Sequence, residues 1–156
     1  MIRAMLLPRY TSGRLTTRDG AEIAYTTVGE GAIPVVVLPG VEDAFYTVDT
    51  APSVLAWWYG PRTTSQRLLC LSRRQPIPSN YTPEQHAEDV RWAIEQLRWG
   101  PTALECNSAG GPIGQWIAIT YPELVRGLIA LFYVCALSAA TRGSCTSDRR
   151  NRGFAR

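Results

Sequence analysis

The sequence predicts an α/β protein with a mostly parallel sheet of about six strands, helices on both faces and an antiparallel hairpin at its start. Three observations support this class. Short apolar runs recur along the chain, as at residues 34–38 and 127–134, and such runs are typical of strands buried on both faces. Helical patterns alternate with them, which favours a parallel sheet covered by helices. Asp19 and Gly20 mark a tight turn between the first two strands.

The first half of the chain supplies the hairpin and two buried strands. Residues 14–18 and 22–28 are predicted to form the hairpin. Residues 34–38 (PVVVL) form a β-branched run that stops sharply at a Pro-Gly pair. Residues 53–59 belong to a helix or an irregular segment, and residues 67–72 (RLLCLS) to another short strand.

The second half alternates helices and strands. A helix is predicted over residues 83–97, because Thr82 and Gln85 form a capping box and Pro83 suits the first helical position. Gly100 and Pro101 end it. A strand, a helix and a further buried strand then follow at residues 102–107, 109–121 and 127–134.

Charge is distributed unevenly along the chain. All 16 basic residues are Arg, and five of them lie in residues 141–156 beside one acid, Asp148. The remaining body carries 11 Arg and 12 acidic residues, so it lacks the clustered basic face that nucleic-acid binding needs. The tail has no hydrophobic period. We therefore predict a domain over residues 1–140, a disordered Arg-rich tail over residues 141–156, and no nucleic-acid partner.

Cysteine usage and hydropathy bear on metal binding and compartment. Cys70, Cys106, Cys135 and Cys145 form no Cys-x-x-Cys pair, and the single His cannot complete a common zinc set. The N-terminus shows no signal peptide. The apolar segment 128–140 is too short to cross a bilayer of about 30 Å. These observations favour a reduced, cytoplasmic protein without a metal site or a membrane partner.

The candidate chemistry lies in residues 106–111 (CNSAGG), which follow a predicted strand and open a predicted helix. This segment resembles the nucleophile elbow of the α/β-hydrolase superfamily, in which a small-x-Ser-x-Gly turn presents a nucleophilic Ser. Gly110 and Gly111 match the pattern, whereas Cys106 stands where Gly is usual. The resemblance covers about residues 12–134 and implies an incomplete α/β-hydrolase fold with Ser108 as the nucleophile.

The same resemblance implies an oxyanion hole. In the family, one backbone N–H comes from the loop after the third strand and the other from the residue after the nucleophile. By resemblance these donors are Val41, which follows Pro39 and Gly40, and Ala109. The implied activity is hydrolysis of a small-molecule ester or related acyl compound, with no metal or organic cofactor.

The triad that the resemblance implies is incomplete in this sequence. In the family an acid and then a His follow the Ser, whereas only Glu123, Asp148 and no His follow Ser108. An unassisted Ser hydroxyl is a poor nucleophile, so we expect impaired activity. The apolar neighbours of His86 favour a packed structural His. An impaired serine hydrolase, a non-catalytic binding module and a non-functional truncated fragment all stay open.

Residues near the motif have a structural and a functional interpretation. Residues 57–59 (WWY) could line a pocket, but such residues more often lie in the core or shelter a loop. For Glu42 and Asp43, a solvated loop is favoured over substrate contact. The pattern breaks after residue 140, which resembles a frameshifted or early-terminated reading frame. Such a break would leave residues 127–134 as an exposed edge strand, a site of self-association.

Overall fold

The computed structural model describes residues 7–131, in which one mixed sheet is covered by helices on both faces. The strands are β1 Tyr10–Thr16, β2 Glu22–Val28, β3 Ile33–Leu38, β4 Gln66–Leu71, β5 Thr102–Asn107 and β6 Val125–Leu131. The α-helices are α1 Pro52–Tyr59, α2 Pro83–Gln96 and α3 Gly110–Thr120, and a short 3-10 helix covers Val41–Ala44.

The sheet has the strand order β1-β2-β4-β3-β5-β6. β1 pairs with β2 and β2 with β4 in antiparallel fashion, whereas β3, β4, β5 and β6 run parallel. Gly20, in the turn of the hairpin, has a φ of +83°, a conformation that glycine adopts at little cost. The predicted fold class, the order of elements and the N-terminal hairpin are confirmed.

The predicted boundaries hold best where a cap or a Pro-Gly pair marks them. At the start of α2, Thr82 Oγ1 accepts from the Gln85 amide at 3.4 Å and Gln85 Oε1 accepts from the Thr82 amide at 2.9 Å. β1 begins at Tyr10, four residues before the predicted start. The prediction missed these residues because they are mostly polar. The Ser12 hydroxyl of β1 bonds that of Thr26 at 2.8 Å, a cross-strand contact that leaves no apolar alternation to read.

Successive residues of β3 bury side chains on opposite faces of the sheet. Val36 and Leu38 pack in the cluster that α2 and α3 cover, while Val35 and Val37 pack in the cluster that contains Ala56 of α1. This two-residue period follows from strand geometry. It confirms that helices cover both faces of the central strands.

β6 lies at one end of the sheet described, and most of its residues are exposed. Residues 132–134 of the predicted last strand lie outside the described residues. So do the predicted domain end at residue 140, the predicted tail at residues 141–156, Cys135 and Cys145. No helix within residues 7–131 is long and apolar enough to cross a membrane.

Candidate functional site

Ser108 occupies a sharp bend between β5 and α3. Its φ is +44°, a left-handed conformation that is uncommon for a residue with a Cβ and is often found at functional sites. Two backbone hydrogen bonds hold the bend: the Ser108 amide donates to the Leu131 carbonyl at 2.7 Å, and the Gly111 amide donates to the Ser108 carbonyl at 2.9 Å. The sequence thus folds here as a strand–turn–helix with a half-buried hydroxyl at residue 108.

Two glycines allow the backbone to approach this bend. A Cβ placed on Gly110 would lie 2.8 Å from the Leu38 carbonyl oxygen, and one placed on Gly40 would lie 3.0 Å from the Ser108 Cβ. Either side chain would force the backbone apart. The close approach therefore brings the loop after β3 against the bend after β5.

The two amides predicted to form an oxyanion hole lie on these adjoining segments. Val41 is the first residue of the 3-10 helix that follows Gly40, and Ala109 is the N-cap of α3. Both residues are exposed, and neither amide donates a hydrogen bond to another residue within 7–131. Two free N–H groups beside a Ser are suited to stabilise a developing oxyanion. Their role stays a prediction.

Cys106 is fully buried near the end of β5. Its sulfur packs against α3 at Gly114, where an added Cβ would overlap the sulfur atom. Burial raises the pKa of the Cys106 thiol to about 12, so the thiol stays protonated at neutral pH. Cys106 is a packing residue of the bend and lacks the features of a reactive thiol.

The two acids of the loop after β3 have different environments. Glu42 is exposed, and its Oε1 accepts from the Gly40 amide at 2.8 Å. Asp43 is only 2% exposed; its Oδ2 accepts from the Arg73 amide at 2.7 Å and lies 3.3 Å from Arg73 Nε. The interpretation of both acids as parts of a solvated loop is therefore wrong for Asp43, because Arg73 follows β4 and its charge compensates the buried carboxylate.

His86 lies in the first turns of α2 and is buried. Its ring meets the edge of Tyr81 at a centroid distance of 4.7 Å. Burial, together with the positive charges of Arg73 and Arg74, lowers the pKa of His86 to about 4. His86 is therefore neutral at pH 7, and no hydrogen bond within residues 7–131 joins it to Ser108. This environment agrees with the structural interpretation of His86.

A cavity of about 380 Å³ lies at the carboxyl ends of the central strands, and Ser108 itself is not among its lining residues. The ends of β3, β4 and β5, the loop after β3 and helix α1 enclose it, and Asn107, the neighbour of Ser108, contributes to its wall. Tyr59 lines it as well, but Trp57 and Trp58 are 57% and 67% exposed and lie outside its lining. Trp57 and Trp58 are thus neither core residues nor part of this cavity's lining, whereas Tyr59 is buried and lines it. No sequence signal indicated the cavity, because its wall combines residues distant along the chain.

The titratable side chains described do not assemble a metal site. No group of three His, Cys, Asp or Glu residues within 7–131 could hold a metal ion. The groups available for chemistry near Ser108 are its own hydroxyl, the two free amides of Val41 and Ala109, and the carboxylate of Glu42.

Comparison with solved structures finds similar chains among hydrolases. A hydrolase from Pseudomonas aeruginosa matches with a TM-score of 0.67 and 25% identity over 83% of this chain and 48% of that one. An N-acyl homoserine lactone degrading enzyme matches with a TM-score of 0.60 and 20% identity, over 78% and 45%. An epoxide hydrolase matches with a TM-score of 0.67 and 18% identity, over 87% and 47%.

The matched share of each structure is limited. The chain spans about half the length of these solved structures and corresponds to their N-terminal portion. No protein-family model and no curated protein matches the sequence.

Proposed function

We propose that this chain, which carries the N-terminal portion of the α/β-hydrolase fold, hydrolyses a small-molecule ester or a related acyl compound through Ser108. The observation that carries the proposal is the bend at Ser108, with its φ of +44° and its contact with the Gly40 loop. Backbone strain of this kind has a cost of order 1–3 kcal/mol, and it is common where a side chain is held for chemistry.

In this proposal the Ser108 hydroxyl attacks the acyl carbon, and the alcohol leaves to give an acyl-enzyme that water then hydrolyses. The carbonyl oxygen gains negative charge during the attack. The amides of Val41 and Ala109 would donate to that oxygen, and the N-terminus of α3 would add a favourable dipole. Loss of one such donor costs roughly 10²–10³ in rate in enzymes of this kind.

The proton of the Ser108 hydroxyl needs an acceptor in this mechanism. The sequence has no His after Ser108, and buried His86 packs on Tyr81. We therefore expect slow turnover of ordinary esters by this chain alone. A reagent with a very good leaving group depends less on a base, so it provides the fairer test of Ser108.

A serine-directed fluorophosphonate probe tests the proposal. Labelling is expected in the folded chain and should vanish in Ser108→Ala. The matched control is Ser79→Ala, because Ser79 is an exposed turn residue and its loss should leave labelling unchanged. An absence of labelling in the folded wild type, or labelling that survives in Ser108→Ala, contradicts the proposal.

A non-catalytic binding module is the second candidate function. The observation that favours it is the cavity lined by Asn107, the neighbour of Ser108, together with the packing of buried His86 on Tyr81. Saturable binding of a small molecule by a folded protein that the probe does not label would support this candidate over catalysis.

A further inference from the structure

We propose that the cavity at the carboxyl ends of the central strands binds an organic cation with an apolar hydrocarbon part, such as an alkylammonium compound. The substrates of the proposed reaction would then be acyl compounds that carry such a group. The claim about substrates rests on the proposed function, whereas the claim about binding depends only on the cavity.

An uncompensated negative charge lines the cavity. Glu42 contributes to its wall and forms no salt bridge with any residue in 7–131. The Gly40 amide, which donates to Oε1 at 2.8 Å, holds the carboxylate in place. A carboxylate fixed beside apolar walls attracts a cation and disfavours an anion.

Asp43, the acid next to Glu42, offers a further hydrogen-bond acceptor to the cavity but does not cancel the charge of Glu42. Asp43 also lines the cavity, and Arg73 compensates its charge through Oδ2. Its other oxygen, Oδ1, is buried and has no hydrogen-bond partner among residues 7–131. Because Arg73 neutralises only one of the two acids, this end of the cavity keeps a net negative charge.

The remaining walls suit the hydrocarbon part of an organic cation. Most are apolar side chains, including Val37, Val54 and Leu55. The Arg62 guanidinium lies over the ring of Tyr59 at 5.4 Å from its centroid. Tyr46, which is 67% exposed, also lines the cavity and pairs with no cation among residues 7–131. Aromatic faces attract ammonium groups, and a volume of about 380 Å³ falls in the range of small-molecule sites.

The negative charge and the proposed nucleophile are neighbours across Gly40. Glu42 Oε2 lies 2.7 Å and Ser108 Cβ 3.0 Å from the position that a Cβ on Gly40 would take. A cation bound at Glu42 would therefore bring an attached acyl group close to Ser108. The cation would also offset the repulsion between the Glu42 carboxylate and an oxyanion formed at Ser108.

Direct binding tests this inference without any turnover. Hexyltrimethylammonium is titrated calorimetrically against its uncharged isostere, in which a tert-butyl group replaces the trimethylammonium group. The attraction between two unit charges about 5 Å apart in a water-like dielectric favours the cation by about 4-fold. We therefore expect wild type and Ser108→Ala to prefer the cation by about 4-fold or more.

The variant Glu42→Gln should lose this preference while it still binds the isostere. Its control is Glu30→Gln, because Glu30 is an exposed residue that pairs with Arg9 outside the cavity. Equal affinity of wild type for the two ligands overturns the inference. That measurement does not depend on the folding of any variant. A preference that survives in folded Glu42→Gln overturns the role of Glu42. A wild type that prefers the cation but is not labelled by the fluorophosphonate overturns the proposed function alone.

Discussion

The sulfur of Cys106 lies where a side chain on Gly114 would begin. A Cβ on Gly114 would overlap Cys106 Sγ and lie 3.4 Å from Cys106 Cβ. In the α/β-hydrolase superfamily, which residues 106–111 resemble, Gly is usual at the position of Cys106. The larger residue on β5 is accommodated here because the facing residue on α3 has no side chain.

This relationship predicts non-additive stability effects. Gly114→Ala should lower the free energy of unfolding by up to about 2 kcal/mol, because an overpacking cost of about 1–3 kcal/mol is offset in part by a helix-propensity gain of about 1 kcal/mol. Adding Cys106→Ala removes the overlapping sulfur, so the double variant should be more stable than the sum of the single effects allows. Urea unfolding of the four proteins measures this coupling, and strict additivity would contradict the packing described.

The strained bend predicts a difference between two variants that both lack the Ser108 hydroxyl. Gly accepts a φ of +44° at little cost, whereas Ala at this position keeps the Cβ strain. The free energy of unfolding of Ser108→Gly should therefore be about 1 kcal/mol greater than that of Ser108→Ala. Both should lose fluorophosphonate labelling. If Ser108→Ala proves as stable as Ser108→Gly in thermal or urea unfolding, residue 108 does not hold the left-handed conformation.

The lowered pKa of buried His86 predicts that the folded chain loses stability in acid. The pKa of about 4 in the folded chain lies below the value of about 6.5 expected in the unfolded chain. The unfolded state binds the proton first, so stability falls as pH drops from about 6.5 towards 4. The contribution is on the order of 3 kcal/mol. Urea unfolding between pH 7 and pH 4 should show a shallower pH dependence for His86→Gln than for wild type.

The pKa itself can be measured directly, because His86 is the only His in the chain. Its ring proton resonance can therefore be followed in an NMR titration without an assignment problem. A midpoint near pH 6.5 in the folded protein would show that His86 is solvated, contrary to the structure.

The ion pair between half-buried Arg62 and buried Glu105 predicts a large effect of substituting the Arg. Arg62 Nη2 lies 2.7 Å from Glu105 Oε2, and Glu105 is buried on β5. Arg62→Met would leave that carboxylate unpaired, so unfolding should need about 3 kcal/mol less free energy. The exposed pair of Arg9 and Glu30 supplies the control, for which Arg9→Met should cost under about 1 kcal/mol. Equal effects of the two substitutions in urea unfolding would refute the distinction.

We propose that the exposed strand β6 mediates self-association of this chain through strand pairing. Within residues 7–131 no strand pairs with the outer edge of β6, and an edge with exposed apolar residues such as Ile129, which is 53% exposed, is a template for another strand. Sedimentation should show association that rises with protein concentration and weakens in Ile129→Lys. Ile119→Lys on the exposed face of α3 is the control for general surface hydrophobicity. A monomer at every concentration, or equal effects of both substitutions, would rule out pairing at this edge.

The sequence predicted those parts of the fold that local patterns encode. The apolar run before Pro39 and the capping box at Thr82 each contain their own boundary, so β3 and α2 end and begin close to the predicted residues. The start of β1 was missed because its polar residues pair across the hairpin. The strand–turn–helix context of Ser108 could likewise be read from residues 106–111.

The environment of the site depends on contacts that no local pattern reports. The burial of Asp43 depends on Arg73, which follows a different strand. The space for Cys106 depends on Gly114, one helical turn into α3. The cavity and the carboxylate of Glu42 beside Ser108 result from the close approach at Gly40. These relationships require the sheet order, which the sequence alone did not provide.

The proposed mechanism requires the bend to present the Ser108 hydroxyl to the amides of Val41 and Ala109. A crystal structure of the fluorophosphonate adduct would show whether it does so. We expect a covalent bond between phosphorus and Ser108 Oγ, with the phosphoryl oxygen about 2.7–3.1 Å from both amide nitrogens. An adduct on another residue, or a phosphoryl oxygen that contacts neither amide, would contradict this mechanism.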